Sequence, residues 1–185
     1  MNKWSYKRRV MQRYDLTASM YDELYAEEQV VKYHAALKHL KAYGSVLDAG
    51  CGTGHFLSNI AEEVEIAVGV DISIRLLLKA KEQARTFPNF HLVQADADYL
   101  PLKNACFGVV FAFTVLQNLP KPLDALKEFK RIVEGDAYIV VTGLKKTFSL
   151  EAFRGLLHKA GLQVVYLEDS DALKCHVAVT IQSKV

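Results

Sequence analysis

A glycine-rich turn between an apolar strand and a helix constrains the fold of this chain more than any other feature. Residues 45–49 are predicted to form a short buried strand, which leads into Gly-Cys-Gly-Thr-Gly at 50–54. The helix predicted at 55–64 repeats apolar residues every four positions. Glycines let the backbone approach a ligand without interference from a Cβ atom. This unit is typical of a doubly wound sheet, which binds ligands at the carboxyl ends of its strands.

The alternation of strands and helices continues beyond this unit. Further apolar strands are predicted at 66–70, 90–94, 107–113, 137–141, 162–167 and 176–181. Helices are predicted within 15–42, at 74–85, from Pro122 to near Gly135, and from Leu150 to Gly161. Because the last two strands lack a helix-length connection, we expect them to pair as a hairpin. The predicted fold class is α/β: a doubly wound, mostly parallel seven-stranded sheet with a helical N-terminal extension.

Length and composition favour one globular domain. The chain has 185 residues, of which 51% are hydrophobic and 24% are charged. We divide it into a basic arm and helical lid at 1–42 and one compact domain at 43–185. No apolar run approaches the ~20 residues needed to span a bilayer. Three cysteines without a Cys-x-x-Cys pair argue against disulfides and metal, so we expect a cytoplasmic monomer that holds no metal and binds no membrane.

The excess positive charge is concentrated at the N-terminus. Residues 1–13 contain no acid and five cations, which are Lys3, Lys7, Arg8, Arg9 and Arg13. The remainder of the chain has three more acids than Lys and Arg residues. Interleaved with Trp4, Tyr6 and Tyr14, the cations are of the kind that meets phosphates and bases of nucleic acid. An ordinary solvated terminal helix is the alternative interpretation.

Three carboxylates follow three consecutive predicted strands. Asp48 precedes the glycines, Asp71 ends the second strand, and Asp96 follows the third. A carboxylate facing a pyrophosphate would be repelled, so Asp48 favours a ligand with an ammonium or sulfonium group. Asp71 is placed to accept hydrogen bonds from ribose hydroxyls, and Asp96 from an exocyclic amine such as that of adenine. The pattern predicts a nucleoside ligand with a cationic tail.

Two common nucleotide motifs do not match the turn. Gly50 and Gly52 fit the dinucleotide pattern G-x-G-x-x-G, but the next required position is His55. The phosphate loop is excluded because no Gly-Lys-Ser or Gly-Lys-Thr follows. What remains is G-x-G-x-G with an acid two residues before the first glycine.

These motifs resemble class I S-adenosylmethionine-dependent methyltransferases of the small "type 11" branch. Residues 46–56 (VLDAGCGTGHF) are similar to the first motif of that family, and residues 69–73 (GVDIS) to its second. Residues 94–102 are similar to the third motif, and 107–133 to the region around and after strand four. Residues 14–25 resemble the segment that closes over the cofactor. The resemblance implies S-adenosylmethionine as cofactor.

The resemblance also implies which residues contact that cofactor. Asp48 and the backbone of Gly50 and Gly52 would hold the methionyl moiety, and Asp71 would hold the ribose. Asp96 and the Ala97 N–H would bind the adenine. Phe113 and Thr114 would line the methionyl moiety on the side opposite the glycine turn. Tyr14 and Tyr21, which would share a face of one continuous helix, would cover the cofactor. The remaining expected contacts are Cys51, Gly54 and Ile72.

The residues after strand four do not fix the acceptor. This chain has Gln117 and Asn118 where relatives often have histidine. We expect Asn118 and Tyr21 to act in catalysis, with Asn118 orienting an acceptor nitrogen that needs no dedicated base. The basic arm and the lack of a large insertion favour a nitrogen of an RNA base, such as an exocyclic amino group in rRNA. A small-molecule acceptor is the alternative, and a non-catalytic cofactor-binding protein is the remote one.

Overall fold

Strands and helices alternate as predicted in residues 2–183, the part of the chain that the computed structural model describes. The described residues do not include Met1, at the start of the predicted segment 1–42, or Lys184 and Val185, at the end of the predicted domain 43–185. The helices are α1 (Lys3–Thr17), α2 (Tyr21–Leu37), α3 (His55–Ile60), α4 (Ile74–Ala84), α5 (Pro122–Ile132) and α6 (Leu150–Lys159). The strands are β1 (Ser45–Ala49), β2 (Ile66–Asp71), β3 (Phe90–Gln94), β4 (Phe107–Ala112), β5 (Val133–Leu144), β6 (Leu162–Glu168) and β7 (Cys175–Gln182).

The strands form one sheet in the order β3-β2-β1-β4-β5-β7-β6. All neighbours are parallel except β7, which is antiparallel to both β5 and β6. The predicted fold class is therefore confirmed, including the final hairpin. The order changes direction between β1 and β4, and in such sheets the crevice outside the carboxyl ends of these strands binds ligands.

Both faces of the sheet are apolar because helices cover both of them. Leu47 and Val110 face a core completed by Phe129 of α5 and Phe153 of α6. Val46, the neighbour of Leu47 in β1, points to the opposite face. There it packs in a core that contains residues of α2, α3 and α4. Alternating burial of this kind explains the near-continuous apolar strand sequences. The central strands are thus held from both sides, which fixes the positions of their carboxyl ends.

The helix that begins at Pro122 ends earlier than predicted. It stops at Ile132, and β5 begins at once with Val133, which pairs with Phe107 of β4. Gly135, expected near the end of the helix, does not have a positive φ and lies inside the strand. The N–H of Cys106 donates to the Ile132 carbonyl at 2.8 Å, so strand pairing replaces a glycine cap at this helix end.

The N-terminal segment folds as two helices with a 3₁₀ turn between them, at Ala18–Met20. Most of the predicted basic arm belongs to α1, whose N-cap is Asn2. The prediction that one continuous helix carries Tyr14 and Tyr21 is therefore wrong, because the turn separates α1 from α2. We call α1 and α2 the N-terminal helix pair. In the described residues, no helix is long and apolar enough to cross a bilayer.

Candidate cofactor and acceptor site

A cavity of about 80 Å³ lies between the carboxyl ends of the central strands and the N-terminal helix pair. Most of the predicted site residues line it: Tyr14, Tyr21, Gly50, Asp71, Ile72, Asp96, Ala97, Phe113, Thr114 and Asn118. Ligand pockets usually measure ~300–1,000 Å³. The helix pair is therefore closed down onto the strand ends, and a nucleoside-sized ligand needs it to move.

Four predicted site residues do not line the cavity. Asp48 is buried. The Cys51 side chain packs in the core, where its Sγ would lie 2.8 Å from a Cβ atom added at Gly69. Gly52 is covered by Tyr21, and Gly54 begins α3 with a left-handed φ of 78°. In this closed arrangement these residues shape or support the turn beneath the cavity.

The turn itself requires glycine at position 50. Gly50 has a φ of 84°, and a Cβ atom there would lie 2.3 Å from Val115 Cγ2. Its N–H and that of Cys51 both donate to the Val70 carbonyl, at 2.7 and 3.0 Å. The Gly52 N–H donates to Asp71 Oδ2 at 3.0 Å. The sequence suggested these N–H groups as ligand donors, but the fold uses all three.

Asp48 is a buried carboxylate with an unused acceptor. Its side-chain atom Oδ1 has no hydrogen-bond partner among the described residues, and the residue is 2% exposed. Burial, with a further contribution from the charge of Asp71, raises the pKa of Asp48 well above its ordinary value. Because a cation nearby would relieve this penalty, the position is suited to an ammonium or sulfonium group.

Asp71 is fixed by the backbone around it. Its two carboxylate oxygens accept N–H groups of Ser73 at 2.8 Å and Gly52 at 3.0 Å. Burial raises the pKa of Asp71 despite these bonds. Each oxygen keeps a second lone pair, so the carboxylate can still accept from two hydroxyl groups.

Asp96 has a partner that sequence analysis did not find. The Lys7 ammonium lies 2.6 Å from carboxylate oxygens of both Asp96 and Asp98, and Lys7 is 5% exposed. Burial lowers the pKa of Lys7, but the bonds to the two carboxylates outweigh it and raise the pKa overall. Lys7, Val10 and Tyr14 line the cavity at helical spacing, which was the available signal.

Thr114 adopts a conformation that β-branched residues rarely have. It follows β4 with a φ of 62°, in the left-handed region. Its N–H donates to Thr142 Oγ1 at 2.7 Å, and its Oγ1 accepts from Lys32 Nζ at 3.0 Å. Strain of ~1–3 kcal/mol at such residues concentrates at functional sites. Lys32 and Thr142 were both missed from the sequence, since nothing local links them to Thr114.

Asn118 connects helix α1 to the end of β4. Its Nδ2 donates to the Tyr14 hydroxyl at 2.9 Å and to the Thr114 carbonyl at 2.8 Å, while its Oδ1 accepts from Arg13 at 2.8 Å. The Tyr21 ring lies against Gly52, where an added Cβ atom would be 3.5 Å from the ring. Burial is the main cause that raises the pKa of both Tyr14 and Tyr21. Both hydroxyls therefore stay protonated near neutral pH.

Much of the basic arm is engaged within the molecule. Lys3 pairs with Asp124 at 2.7 Å, Lys7 pairs with the two carboxylates described above, and Arg13 contacts both Asn118 and the Tyr14 ring. Arg8 and Arg9 are exposed on α1. The arm is thus part of a docked helix, and Lys3, Lys7 and Arg13 bind residues of the domain.

Comparison with known proteins identifies the family of this chain. Residues 47–141, about half of the chain, match the family model of the methyltransferase domain. The chain belongs to the S-adenosylmethionine-dependent methyltransferase family. The resemblance stated from the sequence motifs is confirmed, and with it S-adenosylmethionine as the cofactor of the family.

Relatives within the family differ in what their names say they act on. Malonyl-[acyl-carrier protein] O-methyltransferase of Marinomonas sp. is 34% identical over 146 residues, or 77% of this chain and 54% of that protein. The tRNA U34 carboxymethyltransferase of Pseudoalteromonas atlantica is 34% identical over 112 residues, or 52% of this chain and 34% of that protein. This chain spans about half the length of the first and about a third of the second.

The fold is shared with solved methyltransferase structures. That of an S-adenosylmethionine-dependent methyltransferase from Thermotoga maritima superposes with a TM-score of 0.76 at 20% identity, covering 94% of this chain and 99% of that one. At this identity the likeness concerns the fold alone. It extends beyond the matched family domain and takes in nearly the whole chain.

The residues at the strand ends fit the family cofactor. The unpartnered Asp48 oxygen suits the cationic methionyl part, and Asp71 retains lone pairs for ribose hydroxyls. Asp96 is the third carboxylate at the same edge, although Lys7 now contacts it. When bound, S-adenosylmethionine supplies an electrophilic methyl group on a sulfonium.

Proposed function

We propose that this chain transfers a methyl group from S-adenosylmethionine to a small acceptor molecule, which binds beneath the N-terminal helix pair. The observation that carries this proposal is the position of α1 and α2 directly over the ends of β1 to β4. Tyr14, Tyr21 and Val10 line the cavity from that side. Such a cover excludes water from the reaction, as small-molecule sites require.

In this proposal each strand end holds one part of the cofactor. Asp48 binds the methionyl ammonium and Asp71 binds the ribose hydroxyls. Asp96 and the Ala97 N–H bind the adenine, and Lys7 must shift to admit it. Gly50 and Gly52 provide room for the methionyl part, while Phe113 and Thr114 form the opposite wall. Cys51, Gly54 and Ile72 support or border this surface.

The protein contributes position and exclusion of water to the transfer. Methyl transfer from a sulfonium is an in-line displacement: the acceptor atom forms a bond to the methyl carbon as the carbon–sulfur bond breaks. Holding the acceptor on that line is the main source of rate. The tyrosine hydroxyls, which stay protonated, can donate hydrogen bonds but cannot remove a proton. Tyr21 and Asn118 are thus proposed as orienting groups.

The experiment measures cofactor binding and acceptor class together. We expect the protein to bind S-adenosylmethionine in calorimetry and to transfer a labelled methyl group to a component of a metabolite extract. Total rRNA and tRNA are assayed in parallel. Binding of NAD without binding of S-adenosylmethionine would contradict the proposal. Transfer to RNA only would move the acceptor from the small-molecule class to nucleic acid.

RNA is the second candidate because Arg8 and Arg9 of α1 are exposed to solvent. The relative that acts on tRNA U34 supports the same possibility. If all five arm cations met phosphates, the salt slope of binding would be roughly −3.5 to −4.5. Since Lys3, Lys7 and Arg13 have internal partners, we expect a smaller slope.

Filter binding to rRNA fragments over a salt series tests this candidate. The wild type is compared with the double variant Arg8→Gln/Arg9→Gln. Loss of the whole slope in the double variant, together with methyl transfer to the RNA, would support an RNA acceptor. Equal slopes in the two proteins would exclude a role of these arginines.

A further inference from the structure

Helix α1 exposes one face along its whole length. Its exposed residues recur at helical spacing and include Trp4 near the start, Arg8 in the middle and Leu16 near the end. Trp4 is 49% exposed and Leu16 is 83% exposed. Val10 and Tyr14 lie on the other side of the helix, where they line the cavity. The exposed face therefore takes no part in the proposed cofactor and acceptor site.

Exposed apolar side chains continue across the 3₁₀ turn that joins α1 to α2. Met20 and Leu24 follow Leu16 at intervals of four residues, and they are 50% and 55% exposed. A single exposed apolar side chain is ordinary, but large ones repeated at successive turns of the chain are typical of an interaction surface. We call Trp4, Leu16, Met20 and Leu24 the apolar series.

The charges beside the apolar series are positive. The one acid in residues 3–20 is Asp15, and its carboxylate is directed at α4, where it accepts from Ser73 Oγ. Each exposed charged residue in the same range is a cation; these are Lys3, Arg8, Arg9 and Arg13. Lys3 is paired with Asp124, whereas Arg13 contacts a neutral amide and a tyrosine ring and so keeps its charge.

Helix α4 brings further positive charge to the turn. The Lys79 ammonium donates to the Ser19 carbonyl at 2.8 Å, directly before Met20 in the chain, and this neutral partner leaves the charge in place. The Arg75 side chain is exposed, and its backbone N–H lies 3.4 Å from the Asp15 carboxylate. Apolar side chains and cations thus occupy the same stretch of surface.

This combination fits an anionic bilayer better than a second copy of the chain or a nucleic acid. Two copies that met at this surface would bring cations against cations. RNA would pair with the arginines and stack on Trp4, but it gives aliphatic side chains such as Leu16 no apolar environment. An anionic membrane offers both, since its headgroups attract Lys and Arg and its acyl boundary takes up apolar side chains. The surface ends on α2, where Glu23 and Glu27 are exposed and would be repelled by such headgroups.

We propose that the exposed face of α1 and the turn after it attach the protein to the surface of a membrane that contains anionic lipid. The arginines contact headgroups, while Leu16 and Met20 enter the boundary between headgroups and acyl chains. The absence of a spanning segment led to the expectation that the chain binds no membrane, but attachment at the surface needs no such segment. The inference goes beyond the proposed function, because it depends on neither the cofactor nor the acceptor.

Trp4 provides a direct measurement, because it is the only tryptophan in the sequence. The probes are vesicles of phosphatidylcholine that contain phosphatidylserine, and vesicles of phosphatidylcholine alone. We expect the fluorescence of Trp4 to shift to shorter wavelength with the first kind, and brominated acyl chains to quench it. Sedimentation with the vesicles measures the partition coefficient, which should fall as added salt screens the arginines.

Two double variants separate the charges from the apolar side chains. Arg8→Gln/Arg9→Gln and Leu16→Ser/Met20→Ser should each lower the partition coefficient by about tenfold or more. Leu16 and Met20 are at least half exposed, so serine at these positions should leave the fold intact, and thermal unfolding checks this. The arginine variant tests the inference independently of that result.

Matched controls remove the same number of exposed side chains from other surfaces. Arg154→Gln/Lys159→Gln on α6 removes two cations, and Ile66→Ser/Val165→Ser on β2 and β6 removes two apolar side chains. Both controls should partition like the wild type.

Four results would each overturn the inference. The first is absence of binding to anionic vesicles, and the second is a partition coefficient that neither double variant lowers below its control. Self-association of the protein without vesicle binding would assign the surface to a second copy. Binding to rRNA fragments without vesicle binding would assign it to nucleic acid. None of these results bears on S-adenosylmethionine binding, so the proposed function stands or falls separately.

Discussion

At the scale of single residues, the site combines buried carboxylates with one strained threonine. Asp48 and Asp71 are less than a tenth exposed, and burial raises the pKa of both. Thr114 keeps its left-handed backbone because separate elements bind its three polar groups: Thr142 of β5, Lys32 of α2 and Asn118 after β4. These residues carry unfavourable free energy in the absence of ligand, which is common where proteins bind cationic ligands or hold reactive groups.

Replacing Asp71 by alanine should weaken S-adenosylmethionine binding. A hydrogen bond to a charged group contributes ~1.5–3 kcal/mol, so loss of the ribose contacts should reduce affinity by about tenfold or more. Calorimetry measures the effect, with the exposed Glu62→Ala as control. Thermal unfolding is followed alongside, because the variant also leaves the Gly52 and Ser73 N–H groups without acceptors. Unchanged affinity in Asp71→Ala would contradict the placement of the ribose.

Asp48→Asn should stabilise the ligand-free protein near neutral pH. The pKa of Asp48 is raised in the folded state, so its protonated form is favoured there. Its contribution to stability is complete below the unfolded pKa of ~3.9 and is lost as pH rises through the folded pKa. The variant should therefore melt above the wild type at pH 7, by about 2–4 °C for each kcal/mol gained.

The melting temperatures of the two proteins should converge toward acid pH, where Asp48 is protonated in both states. Differential scanning calorimetry from pH 7 downward follows this convergence. The same variant should bind S-adenosylmethionine more weakly, because the carboxylate no longer faces the methionyl ammonium. A wild type that is the more stable protein at pH 7 would show that the charge of Asp48 is compensated by the fold.

At the scale of elements, the N-terminal helix pair is held by polar contacts to several strand ends. Lys7 reaches the carboxylates that follow β3, Asp15 accepts from Ser73 after β2, and Asp22 accepts from Thr53 at 2.6 Å. Polar groups of this kind re-pair with water at modest cost when a helix lifts away. The contacts that hold the pair down are thereby of a kind that can break and re-form.

Hydrogen exchange over residues 10–25 should slow when S-adenosylmethionine is added. Tyr14 and Tyr21 would then cover the ligand, and the helix pair would lose part of its opening motion. Lys7→Met should speed exchange in α1 without cofactor, because it leaves Asp98 buried beside Asp96 without a cation. The control is Lys3→Met, which breaks only an exposed pair with Asp124. Exchange that does not respond to cofactor would argue against a covering role.

Most elements were predictable because their signals are local. Apolar runs identified the seven strands of the described residues, and the helices predicted to begin at residue 74 and at Leu150 begin there in the structure. The end of α5 and the position of the break between α1 and α2 were not predicted. In both places a long-range contact determines the backbone: the pairing of Val133 with Phe107, and the docking of two helices on different strand ends. Local propensity carries no information about such partners.

The same division applies to the site. Asp48, Gly50, Asp71 and Asp96 could be found because they lie within motifs at strand ends. Lys32 could not, since it lies 82 residues from Thr114 in sequence. For Lys7, 89 residues from Asp96, the helical spacing with Val10 and Tyr14 was the one local signal. The arm was interpreted by its charge and its interleaved aromatic residues, and the structure shows that two of its lysines pair with carboxylates of the domain.

At the scale of the whole molecule, cofactor binding should appear as thermal stabilisation. A ligand at one hundred times its Kd stabilises the folded state by about 2.7 kcal/mol. For a chain of this size, the melting temperature should rise by about 5–11 °C. NAD is the control, because its pyrophosphate would meet the Asp48 carboxylate. An equal rise with NAD would mean that the turn selects for adenosine and not for a cationic tail.

Two side chains of the N-terminal helix pair lower every ligand affinity that can be measured on this protein. They are Tyr21, which covers Gly52, and Lys7, which lies between Asp96 and Asp98. Those side chains stand on the surface that the proposed ligand would use, so closed helices and bound ligand compete. An observed dissociation constant then equals the intrinsic one divided by the fraction of molecules that are open. Lys7 acts as a resident competitor attached to the chain, and its local concentration never falls. Removing that competitor would tighten binding without adding any contact to the ligand.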